Sequence, residues 1–273
     1  MYTRVHNEGM LAGMKRALAF ALVLVVASAA AAETITVAAA ISLKDALAKA
    51  AERYRADTGE SVELTVGSSG QLASQIANGA PVDLFLSAAN KQVDELIKQG
   101  VLDEATRKVV AGNALVLVVP ADAKSPPASL KELAQGATGK VAIGEPRSVP
   151  AGQYAEQALK SAGVAEALKD RLVLGTNVRQ VLDYVERGEV SAGLVYATDV
   201  VGAGAKAGGA KVRVACEIAA GEHEPIVYPA AVVKASRRRA AAAKFLDYLA
   251  SEKGQACLKE FGFTPPPPQN SRK

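Results

Sequence analysis

The loop Gly67-Ser68-Ser69-Gly70 follows a strand-like run at 62–66 and opens a helix-like run at 71–78. Ser42 stands in an equivalent place 27 residues before Ser69, between a strand-like run at 34–40 and a helix predicted to begin at Leu43. A hydroxyl residue at the start of a helix aims its own Oγ and several unpaired backbone N–H groups the same way, at the positive end of the helix dipole. Such a turn is an anion site built without a positive charge. Taken singly, each serine reads as an ordinary N-cap. The pattern recurs, however: Pro150-Ala151-Gly152 follows a strand-like run at 141–144, and Asn177-Val178 follows another at 172–174. Turns of this kind that converge on one point concentrate positive potential, which something anionic must fill.

The elements that must position these turns alternate along the chain. Leu43, Ala46, Leu47, Ala50 and Tyr54 recur at helical spacing, stop at Gly59, and give way to the alternating strand at 62–66. A strand at 82–86, a helix at 91–98 and a long apolar strand at 114–119 come next. In the second half a strand at 141–144, a helix at 151–162, the helical stripe Val178, Val181, Leu182 and Val185, and a strand at 192–196 repeat the grammar. A Gly-rich turn at 202–209, strands at 211–215 and 226–233 and a helix pair over 236–260 complete it. Strands with helices between them imply an α/β fold of parallel sheets covered on both faces. The apolar strands at 114–119 and 226–233 bracket the middle third and read as crossovers between two lobes with a ligand cleft between them. The boundaries that follow are 33–113 with 229–264 for the first lobe, 114–228 for the second, and a disordered tail at 265–273.

Residues 1–32 read as a cleavable secretory signal: Lys15 and Arg16 form a basic start, 17–27 an apolar core, and Ala30-Ala31-Ala32 a cleavage site before Glu33. This segment and the tail hold an excess of basic residues equal to the net charge of +4, so the folded part is close to neutral. A neutral fold argues against nucleic acid as a partner, because tracking phosphates needs a basic face; the run Arg237-Arg238-Arg239 reads as a solvated helix start. Aromatic residues are 4% of the chain and Trp is absent, so a stacking platform for sugars or bases has little to be built from. Cys216 and Cys257 lie too far apart for a CxxC motif, and their pairing is open.

Catalysis finds no support in the same residues. A nucleophile elbow, G-x-S-x-G, would need glycine where Gln71 stands. His223 is the one histidine after the signal, in a polar loop between Glu222 and Glu224, which leaves a Ser-His-acid triad without a motif and a metal without a ligand set. Asp83 and Asp199 read as structural acceptors or caps, since a carboxylate lining a dianion site would be repelled.

The strings Thr36-Val37-Ala38-Ala39-Ala40-Ile41-Ser42-Leu43, Gly67-Ser68-Ser69-Gly70-Gln71-Leu72-Ala73, Gly79-Ala80-Pro81-Val82-Asp83-Leu84-Phe85-Leu86-Ser87-Ala88, Val149-Pro150-Ala151-Gly152-Gln153-Tyr154-Ala155 and Gly193-Leu194-Val195-Tyr196 closely resemble the periplasmic molybdate-binding proteins of ABC transporters. The likeness runs from about Ile35 to Phe263. It implies a two-lobed type II periplasmic binding fold, with mixed sheets flanked by helices, that closes over a tetrahedral oxyanion, molybdate or tungstate, and hands it to a membrane permease. By position the ligand contacts implied are Ser42 and Ser69 as hydroxyl and N–H donors, Ala151 and Val178 as backbone N–H donors, and Tyr196 as a phenol donor. Arg179 is the one basic residue beside them, and its place on the helix points it away from the turn. The resemblance further implies no enzyme activity, no cofactor or metal cation, a monomer, and a periplasmic location; sulfate or phosphate is the alternative ligand. Two departures stand out: Ile41 where a smaller residue is usual, and Gly70 where a hydroxyl residue is usual.

Overall fold

The computed structural model describes residues 34–136, 139–204 and 211–267. The signal expected at 1–32, most of the Gly-rich turn and the tail from residue 268 lie outside them. Each expected strand from the first half appears, with one more that the sequence reading did not include. In chain order come β1 (Thr34–Ala40), a 3-10 turn (Ile41–Leu43), α1 (Lys44–Thr58), β2 (Ser61–Gly67), α2 (Ser69–Ala77), β3 (Leu84–Leu86), α3 (Asn90–Lys98) and β4 (Lys108–Gly112). The second half follows as β5 (Leu115–Pro120), α4 (Leu130–Gln135), β6 (Val141–Gly144), α5 (Pro150–Ser161), α6 (Ala165–Leu168), β7 (Leu172–Gly175), α7 (Val178–Glu186), β8 (Ala192–Tyr196), α8 (Ala197–Gly204) and β9 (Val212–Glu217). The chain then returns through β10 (Val227–Val232), α9 (Arg239–Ala250) and α10 (Glu252–Glu260).

These strands form two sheets, ordered β2-β1-β3-β10-β4 and β7-β6-β8-β5-β9. The sheets are mixed, as the resemblance implies and not wholly parallel as the strand-helix alternation alone suggests. β1 runs parallel to β2 and β3, and β6 parallel to β7 and β8, but β10 is antiparallel to β3 and β4, and β5 to β8 and β9. The reason lies in the connections. The chain passes from the first sheet to the second at residues 113–114 and back at 218–226, so β5 and β10 enter their sheets from the neighbouring lobe instead of over a crossover helix.

Burial of both sheet faces explains why the strands read as nearly continuous apolar runs. On one face of the first sheet Val37, Leu84 and Leu86 pack with Leu43, Leu47, Tyr54 and Phe245 from α1, α9 and their approaches. On the other, Ala38, Phe85 and Ala231 meet Ile76, Val93 and Leu96 from α2 and α3. Asp83 acts as the structural acceptor expected of it, taking the Thr36 N–H at 2.8 Å and the Ser236 hydroxyl at 2.6 Å. In the basic run, Arg238 and Arg239 are half-exposed and pair with Asp83 and Asp103. Both cysteines are free thiols, Cys216 on β9 and Cys257 on α10, in different lobes.

Candidate functional site

Ser42, Ser69, Ala151, Val178 and Tyr196 line one small cavity between the two lobes, together with Ile41, Ser68 and Asn177. The centre of a water-sized sphere can roam over only about 10 Å³ of it. That is room for one compact ion or a water, and an organic solute is excluded. Its walls are nearly shut off from solvent: Ser42, Ser69, Ala151, Val178 and Tyr196 are all buried.

Four chain turns border this space at their helix starts, and local sequence accounts for each. The 3-10 turn at 41–43 carries Ser42, and α1 begins only at Lys44, one residue later than expected. Ser69 is the first residue of α2. In α5, Pro150 fills the first position and has no N–H to offer, so Ala151 supplies the first amide. Gly152 lets this end of α5 sit against β6: a Cβ there would lie 2.1 Å from the Gly144 carbonyl oxygen. In α7, the Asn177 side chain caps the helix by accepting the Gln180 N–H at 3.0 Å, leaving the Val178 amide free of it. First-turn amides have no acceptor within their own helix and carry the positive end of its dipole.

The serines do not cap their own helices, so the ordinary N-cap reading fails. Ser69 Oγ accepts the Ala88 N–H at 3.1 Å, which leaves its hydroxyl hydrogen to donate elsewhere. Ser42 Oγ lies 3.1 Å from the Tyr228 hydroxyl. That hydroxyl already accepts from Asn113 Nδ2 at 2.9 Å, and among the described residues its own hydrogen has Ser42 as the acceptor. The Ser69 hydrogen is therefore available to an anion, and so is that of Ser42 when Tyr228 is the donor in their pair. Tyr196, at the end of β8, holds a buried hydroxyl with no hydrogen-bond partner among the described residues. Burial, reinforced by Tyr228, Tyr154 and Asp199, pushes its phenol well above the ordinary range, so it stays protonated and a donor.

Behind this wall stand Tyr228 and Asn113, which sequence patterns did not reveal, with Asp199, the structural acceptor expected from sequence, and Arg179. Tyr228 interrupts the otherwise small and aliphatic β10 and Asn113 forms the first crossing between the sheets; those two oddities were the only sequence signals. Asn113 Nδ2 also donates to Thr198 Oγ1 at 2.9 Å. Asp199 is fully buried and accepts the Tyr196 N–H at 3.2 Å. Burial pushes its carboxyl up to about 6, against the opposing pull of Arg179 3.0 Å away. Arg179 itself stays out of the cavity wall, as expected from its helical position, and is engaged by Asp199 and Asp45.

A larger cavity of about 640 Å³ lies beside the first, beyond Ala89. Asp94, Glu156 and Glu224 face it against the single cation Lys91, a balance that repels a dianion. Among the described residues no group of three or more His, Cys, Asp or Glu side chains could hold a metal ion, and no helix is long and apolar enough to cross a membrane.

Two α/β lobes joined by two chain crossings, with a small donor-lined cavity between them, define a solute-binding protein of the type II periplasmic fold. Residues 35–264 match the family described as bacterial extracellular solute-binding protein, and the chain belongs to it. It is 38% identical over 233 residues to the molybdate-binding protein ModA of Haemophilus influenzae, covering 83% of this chain and 88% of that one. It is 36% identical over 235 residues to ModA of Escherichia coli, at 83% and 87% coverage. Among solved structures, the periplasmic molybdate-binding protein of Azotobacter vinelandii superposes with a TM-score of 0.76 at 28% identity, covering 85% of this chain and all of that one. The sulfate-binding protein SubI of Mycobacterium tuberculosis, TM-score 0.73 at 19% identity over 86% and 88% of the two chains, shares the fold alone.

Proposed function

We propose that this protein captures molybdate, and tungstate equally, in the cavity between its lobes and delivers it to the permease of an ABC transporter. The observation that carries the reading is the convergence of four amide-bearing turns and an unpartnered phenol on a space the size of one small ion. Both relatives named above as ModA bind molybdate by name, which supports the choice of oxyanion. The anion is held by neutral donors: Ser42 and Ser69 through hydroxyl and amide, Ala151 and Val178 through amides, Tyr196 through its phenol. A hydrogen bond to a charged acceptor is worth roughly 1.5 to 3 kcal/mol, so these seven donors supply on the order of 10 to 20 kcal/mol before desolvation and closure are subtracted. Micromolar binding requires about 8 kcal/mol.

Size does the selecting. A packed shell of amides and hydroxyls cannot contract around sulfate, so two or three donors would be left stretched inside a dry cleft, at several kcal/mol. Ser42 and Ser69 belong to the first lobe, and Ala151, Val178 and Tyr196 to the second, so a bound anion favours the closed arrangement by bridging them. The protein acts as a monomer in the periplasm after loss of the signal segment, with no catalytic step and no cofactor.

The test is a calorimetric titration of ligand-free protein with molybdate, tungstate, sulfate and phosphate. Near-equal tight binding of the first two, with sulfate weaker by about a thousandfold, is the expected result. Equal heats from sulfate, or none from molybdate, would overturn the reading.

A further inference from the structure

We infer that Arg179 is a positioning residue that couples capture of the anion to closure of the lobes, and that its ion pair with Asp45 is the clasp. The inference rests on the anion reading of the cavity. Arg179 follows Val178 at the start of α7, in the second lobe, and its side chain is only 17% exposed. Its Nη2 lies 3.0 Å from Asp45 Oδ2, on α1 of the first lobe. Its Nε lies 3.0 Å from Asp199 Oδ1, and the other oxygen of Asp199 accepts the Tyr196 N–H. Gly202 of α8 covers the guanidinium so closely that a Cβ there would sit 3.3 Å from both terminal nitrogens.

One guanidinium is thereby tied to three walls of the cavity. It reaches Val178 by chain adjacency, Tyr196 through Asp199, and the Ser42 turn through Asp45, three residues further along the same segment. Two other roles fit less well. As a direct ligand, Arg179 would have to line the cavity, and it does not. As a prop for the second lobe alone it would need Asp199 only. The arm to Asp45 spans the cleft between two lobes whose backbones are continuous only at 113–114 and 218–226, so it exists only when they are together. Ser148 in the loop before α5 makes a companion contact, its carbonyl accepting from Ser68 Oγ and, at 2.9 Å, from the Gly70 N–H. That contact joins the Ser69 turn to the loop before Ala151 through a backbone carbonyl, whereas Arg179 joins the Ser42 turn to Val178 and Tyr196 through ion pairs.

The clean perturbation is Asp45→Asn, because Asp45 is half-exposed and its loss leaves Arg179 paired with the buried Asp199. With molybdate as the probe at low salt, Asp45→Asn should weaken binding about two- to fivefold, the range of a part-exposed ion pair, mainly through faster release. Asp45→Glu should restore most of the affinity, and about 0.5 M salt should erase the difference between variants. Arg179→Lys keeps the charge but reaches one carboxylate at a time. It should lose at least as much, and the double variant should lose less than the sum of the two single losses. The ligand-free melting temperature of Asp45→Asn should equal that of the parent, which separates a clasp from a structural prop. Unchanged affinity and release rate for Asp45→Asn at low salt, or losses that add in the double variant, would overturn the inference. Failure of the parent protein to bind molybdate would instead remove the functional reading, and the inference with it.

Discussion

Replacing Tyr196 by Phe should move binding and stability in different directions. The side chain is 1% exposed, and its hydroxyl has no protein partner among the described residues. In the ligand-free protein the substitution removes a polar atom that no side chain satisfies and leaves the ring, including its packing 6.1 Å from the Tyr228 ring, in place. Burial without a partner costs about 1 to 3 kcal/mol, and with the lobes apart the hydroxyl gains no protein bond either, so without ligand the variant should be as stable as the parent or more so. In the complex the same atom donates to a dianion, and its loss removes roughly 1.5 to 3 kcal/mol, about a 10- to 150-fold rise in Kd. Calorimetric titration with molybdate reads the first quantity and thermal melting without ligand the second. A Tyr196→Phe protein that binds as tightly as the parent would refute the assignment of the phenol as a donor. One that melts far below the parent would show that the hydroxyl has a structural bond instead.

Ser42→Ala and Ser69→Ala should each weaken molybdate binding about tenfold or more in the same titration. Ser42→Ala also takes one of two hydrogen bonds from the buried Tyr228 hydroxyl, leaving it only Asn113 among the described residues, so it should lower the melting temperature as well. A Cβ at Gly70 would come 2.5 Å from the Ser148 carbonyl oxygen, so Gly70→Ala should hold the lobes apart, seen as a larger radius of gyration in small-angle scattering with molybdate present and a weaker Kd. Asp199 titrates near 6 in the fold against 3.8 as its ordinary value. A folded-state carboxyl raised in this way binds more protons than the unfolded chain between those values, so its contribution to stability declines as pH rises from about 4 to 6. Denaturant melts of the parent and of Asp199→Asn across that window should diverge in that sense, the parent losing ground toward pH 6. Both thiols should react with a thiol reagent in denaturant without prior reduction, since Cys216 and Cys257 stand free in separate lobes; their failure to react would signal a disulfide and a different arrangement.

What the sequence revealed and what it hid follow from the range of the interactions involved. Strand-to-helix turns are local: a hydroxyl or proline, an apolar stripe and a glycine stop are read within a dozen residues, and the turns that carry Ser42, Ser69, Ala151 and Val178 were read that way, while the donor role of each residue rests on the resemblance. β4 escaped because it is only five residues long, begins on a lysine and ends on a glycine, so the apolar run at 114–119 alone read as a strand there. Strand direction escaped too, because whether β5 and β10 run with or against their neighbours depends on where the chain changes sheets. The supports of the donors are long-range: Tyr228 meets Ser42 across 186 positions and Arg179 meets Asp45 across 134, distances over which no spacing pattern survives.

The place of β10 in the first sheet has a consequence for how this molecule comes into being. β4 pairs with β10 and with no other strand among the described residues, and β10 sits between it and β3. Until residue 232 has been synthesised, the first lobe is a three-stranded fragment with an open edge, and Lys108–Gly112 has nothing to pair with. The whole second lobe is made in the interval. Such long-range closure is slow, because the loop entropy must be lost before the contacts that reward it can form. A nascent chain built this way can assemble its second sheet from the contiguous residues 115–217, but it cannot complete its first until β10 has emerged, so the lobe that begins the chain is the last to close.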